Sequence, residues 1–341
     1  MFVEVVVLSN APLRAAVVGL GKMGWLHAGL LNVLPNVELV ALCEKSVITR
    51  KIAKKIFRSK PVVSKIENFS DLDLDAIFVT TSTPSHYAVA KTIYQERLAR
   101  NLFIEKPLTL KSLQSRELFQ LASQNAGVNM VGYLRRFMVT FIKARELFMK
   151  GVIGEPLSFS MRAYSSDFYG FEGTSKASAG RGGVLSDLGS YAIDIAMWFF
   201  GDIHLDSAHI NSLNASGFED AVDFAVHRDS GSLSGKIFAS WCVEGYRMPE
   251  VELSIVGSNG VIEVNDDKAC LSVKDGKKLT WHRLDLDDRV DFWLGAPEYC
   301  REDEYFVNSV ANRSVAEPSF ESASKVDMLI ELIRKEALKH D

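Results

Sequence analysis

Ala15-Ala16-Val17-Val18-Gly19-Leu20-Gly21-Lys22-Met23-Gly24 decides the reading of this chain. The apolar residues up to Val18 suit a short, fully buried strand. Met23 to Leu34 carries helical spacing and stops at Pro35. A glycine-rich turn between strand and helix has a physical use. Gly19 allows a tight turn, Gly21 lets the backbone approach a pyrophosphate, and Gly24 lets the helix pack on the strand. The free N–H groups at the helix start then face the anion. Leu20, Lys22 and Met23 lie between the glycines and join the cofactor-binding set. A Gly-x-Gly-x-x-Gly pattern by itself also fits a plain turn, so context decides. An acid is expected about twenty residues on, at the end of the second strand, where it accepts from ribose hydroxyls. Glu44 stands there, after the apolar run Leu39 to Cys43. Its charge repels a 2′-phosphate, so NAD is favoured, while the adjacent Lys45 leaves NADP open.

Working outward, strand and helix signals alternate up to about residue 135. Strand candidates are Val37–Leu42, Ala76–Thr80, Asn101–Glu105 and Val128–Tyr133, with helices at 47–57, 86–99 and 113–125. Alternation of this kind predicts a parallel sheet with helices on both faces. In such sheets ligands bind outside the carboxyl ends of the strands. Thr80, Ser82, Pro84 and His86 follow one strand and are expected on the cofactor, His86 near the nicotinamide ribose. His27, on the first helix, reads as a packing histidine. Glu105 and Lys106 end another strand, and Pro107 stiffens the chain behind them. A lysine at that position is suited to passing protons beside a cofactor, with Glu105 as its neighbour or ion-pair partner.

Beyond residue 135 the pattern changes. After a helix near 141–150, alternating runs at 157–164, 221–227, 235–243, 251–256 and 261–264 predict hairpin-linked strands of an antiparallel sheet with one polar face. Asp229-Ser230-Gly231 and Ser258-Asn259-Gly260 read as turns, and 322–338 as a packing helix. The expected division is therefore 1–135 for dinucleotide binding and 136–341 for substrate binding and oligomerisation, through the open sheet face. Within the second part, Asp187, Tyr191 and Asp194 fall at i, i+4 and i+7 ahead of an almost wholly apolar stretch. On one unbroken helix they share a face, and acids in a buried helix need a partner or a task. Arg136, Tyr164 and Arg181 complete the expected substrate-binding set with Asp187 and Tyr191.

Composition narrows the classes. With 341 residues the chain is long for one core and suits two domains. A net charge of −4 argues against nucleic-acid or membrane-surface partners. The four cysteines are scattered, which supplies neither a zinc site nor a disulfide framework and fits a reducing, cytoplasmic setting. No metal is expected. The first eight residues are apolar but carry an acid and no basic leader, so they do not read as a signal peptide.

These motifs together resemble the oxidoreductase family named after glucose–fructose oxidoreductase, inositol dehydrogenase and MocA. The likeness rests on Gly19 to Gly24, Thr83-Pro84 with His86, Glu105-Lys106-Pro107, Arg136-Phe137, Gly151 to Pro156, and Gly182 to Asp194. It implies an α/β chain: a Rossmann domain with a doubly wound parallel sheet, then an α+β domain with a large, mostly antiparallel sheet that commonly joins subunits into dimers or tetramers. It implies catalytic roles for Lys106 and Asp187. Many members have histidine four residues after that aspartate, whereas this chain has Tyr191, as in the branch resembling glucose–fructose oxidoreductase and the dihydrodiol or xylose dehydrogenases.

The combined expectation is an NAD-dependent dehydrogenase or reductase acting on a secondary alcohol or ketone of a sugar, polyol or sugar derivative. Tyr191 exchanges the hydroxyl proton, Lys106 eases that transfer and Asp187 orients the substrate. Two enzyme alternatives are a nucleotide-sugar (UDP-N-acetylhexosamine-type) 3-dehydrogenase, with Arg136 or Arg181 on a phosphate, and an NADP-dependent dihydrodiol or xylose dehydrogenase. The non-enzyme alternative is a dinucleotide-sensing regulator, which has no need of Lys106, Asp187 and Tyr191 together.

Overall fold

The computed structural model describes residues 11–169, 180–213, 218–228, 233–246, 248–274, 276–290 and 296–339. The opening apolar segment and the expected turn Asp229-Ser230-Gly231 lie outside the described residues. The chain forms two compact units, one comprising the residues up to Gly132 plus Tyr299–Lys325, the other Tyr133–Glu298 plus the residues from Val326 onward.

The first unit is built on β1 (Leu13–Val18), α1 (Lys22–Val33), β2 (Val37–Cys43), α2 (Val47–Ile56), β3 (Val62–Val63), β4 (Ala76–Val79), α3 (Thr83–Gln95), β5 (Asn101–Glu105), α4 (Ser112–Asn125) and β6 (Asn129–Gly132). Its six strands run in the order β3-β2-β1-β4-β5-β6, and each neighbouring pair is parallel. The chain reverses direction across the sheet between β1 and β4, the point at which doubly wound sheets open a crevice beyond their carboxyl ends. The runs Ala-Ile-Phe-Val of β4 and Asn-Leu-Phe-Ile-Glu of β5 are buried throughout, as strands covered on both faces must be.

A single break near residue 135 does not describe this unit, because a later segment returns to it. The helix Pro297–Asn312 sets Phe306, fully buried, edge-on to Phe78 at 5.3 Å and to Phe103 at 5.8 Å. Further on, Pro318 accepts from the Val131 N–H at 2.8 Å, and Asn129 accepts from the Phe320 N–H at 2.7 Å. The consecutive charges Arg301-Glu302-Asp303-Glu304 hide the apolar face of that helix from a reading by sequence.

The second unit holds α5 (Val139–Met149), β7 (Pro156–Tyr164), a π turn (Leu185–Gly189), α6 (Ser190–Phe200), β8 (His204–Leu213), β9 (Glu219–His227), β10 (Ser234–Ser240), β11 (Glu250–Gly257), β12 (Gly260–Val264), β13 (Lys268–Val273) and β14 (Lys278–His282). The helix Pro297–Asn312 is α7, and Phe320–Ala337 is α8. Eight strands form one sheet in the order β14-β13-β12-β11-β7-β10-β9-β8, antiparallel except for the pair β7 and β10. Alternation works as the period of two demands. Phe159, Met161 and Ala163 of β7 are buried, and Phe200 of α6 stacks on Phe159 at 4.5 Å. Ser160, Arg162 and Tyr164 point to the other face. Three strands, β8, β13 and β14, were not legible in the sequence. β13 and β14 approach the sheet edge, where polar residues replace the apolar half of the pattern.

Candidate active site

The glycine turn of the first unit has the shape a pyrophosphate requires. Gly19 sits at φ +95°, and a Cβ there would lie 2.8 Å from the Thr81 backbone. A Cβ on Gly24 would come within 1.8 Å of the Gly19 carbonyl, so only glycine lets α1 close on β1. Gly21 differs: a Cβ there meets nothing within 4 Å. The space an ordinary side chain would fill is left open at the start of α1, which has no side-chain cap and no acid in its first turn. This open cradle fits a dinucleotide phosphate.

Glu44, one residue past β2, is tied to the same turn. One carboxylate oxygen accepts from the Leu20 N–H at 2.7 Å and the other from the Ser46 N–H at 2.7 Å. Each oxygen keeps a lone pair for a ribose hydroxyl. Lys22 and Lys45 are exposed and Met23 is half-buried. Ser82 and Pro84 are exposed at the start of α3, which leads from the carboxyl end of β4.

Three residues expected on the cofactor turn instead toward the protein. The Thr80 hydroxyl donates to the Gly19 carbonyl at 2.7 Å and props the glycine turn from behind. His86 is 1 % exposed, with Nδ1 3.0 Å from the Pro107 carbonyl and Nε2 2.9 Å from the Thr81 carbonyl. Its burial lowers its pKa, against the opposing pull of those carbonyls. It is a strut between the α3 entry and the Lys106-Pro107 turn. Glu105 is buried and bonds His27, while its second oxygen accepts from the Lys106 N–H at 3.1 Å. Lys106 is half-buried at the carboxyl end of β5.

In the second unit the π turn carries Asp187. Gly183, at φ +87°, leaves room for Glu219, whose carboxylate also bonds the Leu185 N–H at 3.2 Å and Arg334 of α8 at 2.6 Å. This anchors the turn from behind. Asp187 Oδ2 accepts from Arg181 at 3.1 Å and from the Trp241 indole N–H at 3.2 Å. Tyr191, 8 % exposed on α6, packs edge-on to Tyr133 at 6.2 Å, and the Arg135 guanidinium lies 4.5 Å from its ring centre. Arg135 is fixed in turn by Asp266, at 3.0 and 3.2 Å, and by the Pro249 carbonyl at 2.9 Å. The extra residue of a π turn breaks the i, i+4, i+7 register expected across Asp187, Tyr191 and Asp194.

The remaining residues expected at the substrate are each engaged by protein groups. Arg136 does not offer itself to a substrate anion, because its Nε and one Nη bond Asp194 bidentately at 2.9 and 2.6 Å in the interior. Arg181 spans Asp187 and Asp167. Tyr164 has the wrong parity for the face covered by α6 and packs on Phe238 and Tyr246 at 5.8 and 5.0 Å. Trp241 and Arg135 were missed. A tryptophan just past a strand carries no signal of its own, and nothing in the sequence separates Arg135 from Arg136.

A parallel sheet of this order, with a glycine cradle and a carboxylate at the end of β2, defines a dinucleotide-binding domain. Comparison with known proteins agrees. Residues 13–133 match the model described as an oxidoreductase family with an NAD-binding Rossmann fold, and residues 141–263 match the GFO/IDH/MocA C-terminal domain. The chain belongs to the Gfo/Idh/MocA oxidoreductase family. It is 26% identical over 314 residues to the scyllo-inositol 2-dehydrogenase (NAD(+)) of Bacillus subtilis, covering 88% of this chain and 86% of that one. It is 24% identical to the myo-inositol 2-dehydrogenase of Thermotoga maritima, covering 73% of this chain and 74% of the relative. Among solved structures, a levoglucosan dehydrogenase in complex with NADH and L-sorbose shares the fold. Its TM-score is 0.85 at 19% identity, with 96% of this chain and 97% of that one covered.

Proposed function

We propose that this chain moves a hydride between NAD and a ring carbon bearing a secondary hydroxyl, in an uncharged cyclitol or sugar. The pairing of both candidate anion-binding arginines with carboxylates supports an uncharged substrate. Arg136 is spent on Asp194, and Arg181 on Asp167 and Asp187. That commitment counts against a nucleotide sugar, whose phosphates need unspent guanidinium groups. The named activities of the inositol dehydrogenase relatives support the substrate class.

When bound, NAD supplies the hydride acceptor. The residues of this chain supply the proton handling. Tyr191 takes the hydroxyl proton, and the Arg135 cation on its ring face stabilises the negative charge that the phenol oxygen carries as a base. Asp187, aimed by Trp241 and Arg181, accepts from a neighbouring substrate hydroxyl and orients the ring. Lys106, at the carboxyl end of β5, is assigned a proton-transfer role on the side of the first unit. Glu44 holds the adenosine ribose and disfavours NADP. We further assign the open face of the eight-stranded sheet to a homodimer or homotetramer contact. A cytoplasmic setting accords with four free cysteines. Among the described residues no helix is long and apolar enough to cross a membrane.

The test is a substrate screen followed by NADH absorbance, with scyllo-inositol, myo-inositol, levoglucosan, xylose, apiose and UDP-N-acetylglucosamine, each with NAD and with NADP. Turnover of a free cyclitol or sugar with NAD is expected. Turnover confined to the nucleotide sugar, or NADH binding with no turnover of any compound, would replace the reading with the nucleotide-sugar enzyme or the regulator.

A further inference from the structure

Three ionisable groups from three elements meet in the interior of the first unit. His27 of α1 is fully buried. Its Nδ1 lies 2.8 Å from Asp303 Oδ1 of α7, itself fully buried, and its Nε2 lies 3.0 Å from Glu105 Oε1 at the end of β5. Phe78 and Phe103 pack on the imidazole with ring centres 5.9 and 5.1 Å away, and Tyr299 meets it edge-on at 6.3 Å. The other oxygen of Glu105 faces the Lys106 N–H, and Gly132 on β6 leaves room for that carboxylate, since a Cβ there would lie 3.3 Å from it.

A proton count limits what this cluster can be. A neutral imidazole donates from one nitrogen only, so its second nitrogen would set a lone pair against a carboxylate. Both contacts are favourable only if the cluster holds one proton more: either the imidazole carries two, or one carboxyl is protonated. The two carboxylates on opposite sides of one ring favour the imidazolium. They outweigh the burial that would discharge it and carry the His27 pKa well above its usual value. Burial pushes Asp303 up, and the attraction of His27 pulls it back.

We propose that His27 is a positioning residue that holds the Glu105 carboxylate against the Lys106 N–H, with Asp303 as the second counter-charge that keeps the imidazole doubly protonated. The strand end carrying Lys106 is then fixed from inside the sheet, by a helix that begins at the glycine turn. The catalytic consequence rests on the role given above to Lys106; the cluster itself does not.

The test has two parts. Nitrogen NMR of histidine-labelled full-length protein should show both His27 ring nitrogens protonated at about pH 8, where an unperturbed imidazole is neutral. A neutral single-tautomer His27 under those conditions overturns the proposal. In His27→Gln, amide hydrogen exchange at Lys106 should quicken by about tenfold or more while Val79, at the end of the neighbouring strand, changes little. Equal quickening at both amides would mean a general loss of stability and would also overturn it, as would exchange at Lys106 unchanged from the parent. Asp303→Asn is the second variant, should His27→Gln not fold, and the same local quickening is expected of it. Lys106→Met turning over like the parent would remove the catalytic role of Lys106 while leaving the NMR and exchange outcomes as they stand.

Discussion

Tyr191 and Lys106 are the side chains on which the proposed chemistry turns, and the neighbours that hold the ring of Tyr191 are on view. Arg135 is pinned by two bonds to Asp266, so its charge stays on the face of the Tyr191 ring instead of following solvent. Removing the phenol oxygen should therefore strike the chemical step. Tyr191→Phe is expected to lower kcat by about 10²- to 10⁴-fold, with NADH affinity by fluorescence titration little changed. Turnover equal to the parent would move the acid/base role elsewhere. Lys106→Met should likewise keep NADH binding and lose turnover by about 10²-fold or more. Glu44, Lys106, Asp187 and Tyr191 stand out in the sequence because each sits at a fixed offset from a glycine, a proline or a strand end. Arg136 was misread for a physical reason. A guanidinium in a sequence looks the same whether it waits for a substrate or is already paired, and its partner Asp194 lies 58 residues away.

The glycine turn and the π turn show how an element carries a site. In the first, Gly24→Ala would drive a methyl into the Gly19 carbonyl, now 1.8 Å from the position of that Cβ. Either α1 moves off β1 or the turn opens. Such overpacking costs about 1–3 kcal/mol, and NADH affinity should fall together with the melting temperature. A variant that melts and binds like the parent would show that the turn relaxes without penalty. On the helix that follows the second, Asp194 of α6 pairs with Arg136 in the interior. Asp194→Asn removes the buried carboxylate charge that Arg136 faces. A loss of about 3–5 kcal/mol in denaturant unfolding is expected, and a loss below 1 kcal/mol would show that water reaches Arg136. The buried helix that carries Tyr191 and Asp194 was legible in the sequence. The π turn was not, because it depends on Glu219 and Arg334 holding the backbone from distant strands and helices.

The whole chain should show stability limited on both sides of neutrality by two buried histidines with opposite shifts. The folded pKa of His27 is raised, so its contribution is complete below the unfolded value of about 6.5 and is lost as pH rises through the folded value. Its partner Asp303, also raised, titrates upward from an unfolded value of about 3.9 and so acts on the acid side and does not shape the alkaline arm. The folded pKa of His86 is lowered, so its contribution is present above the unfolded value and fades as pH falls through the folded one. The melting temperature is therefore expected to decline on the alkaline side of neutrality, and His27→Gln should flatten that arm. An alkaline arm unchanged in the variant would show that His27 does not set it. The amino-acid order was enough to determine the parallel sheet, the cofactor cradle, the carboxylate at the end of β2 and the type of the second sheet. All of these rest on short-range periodicity and turn chemistry, which a linear reading contains. The return of α7 to the first sheet, the closure of His27 between Glu105 and Asp303, and the diversion of Arg136 and Arg181 from substrate to carboxylates were decided by folding alone. Burial creates those pairings, since a charge leaves water only where another from a distant part of the chain arrives to meet it.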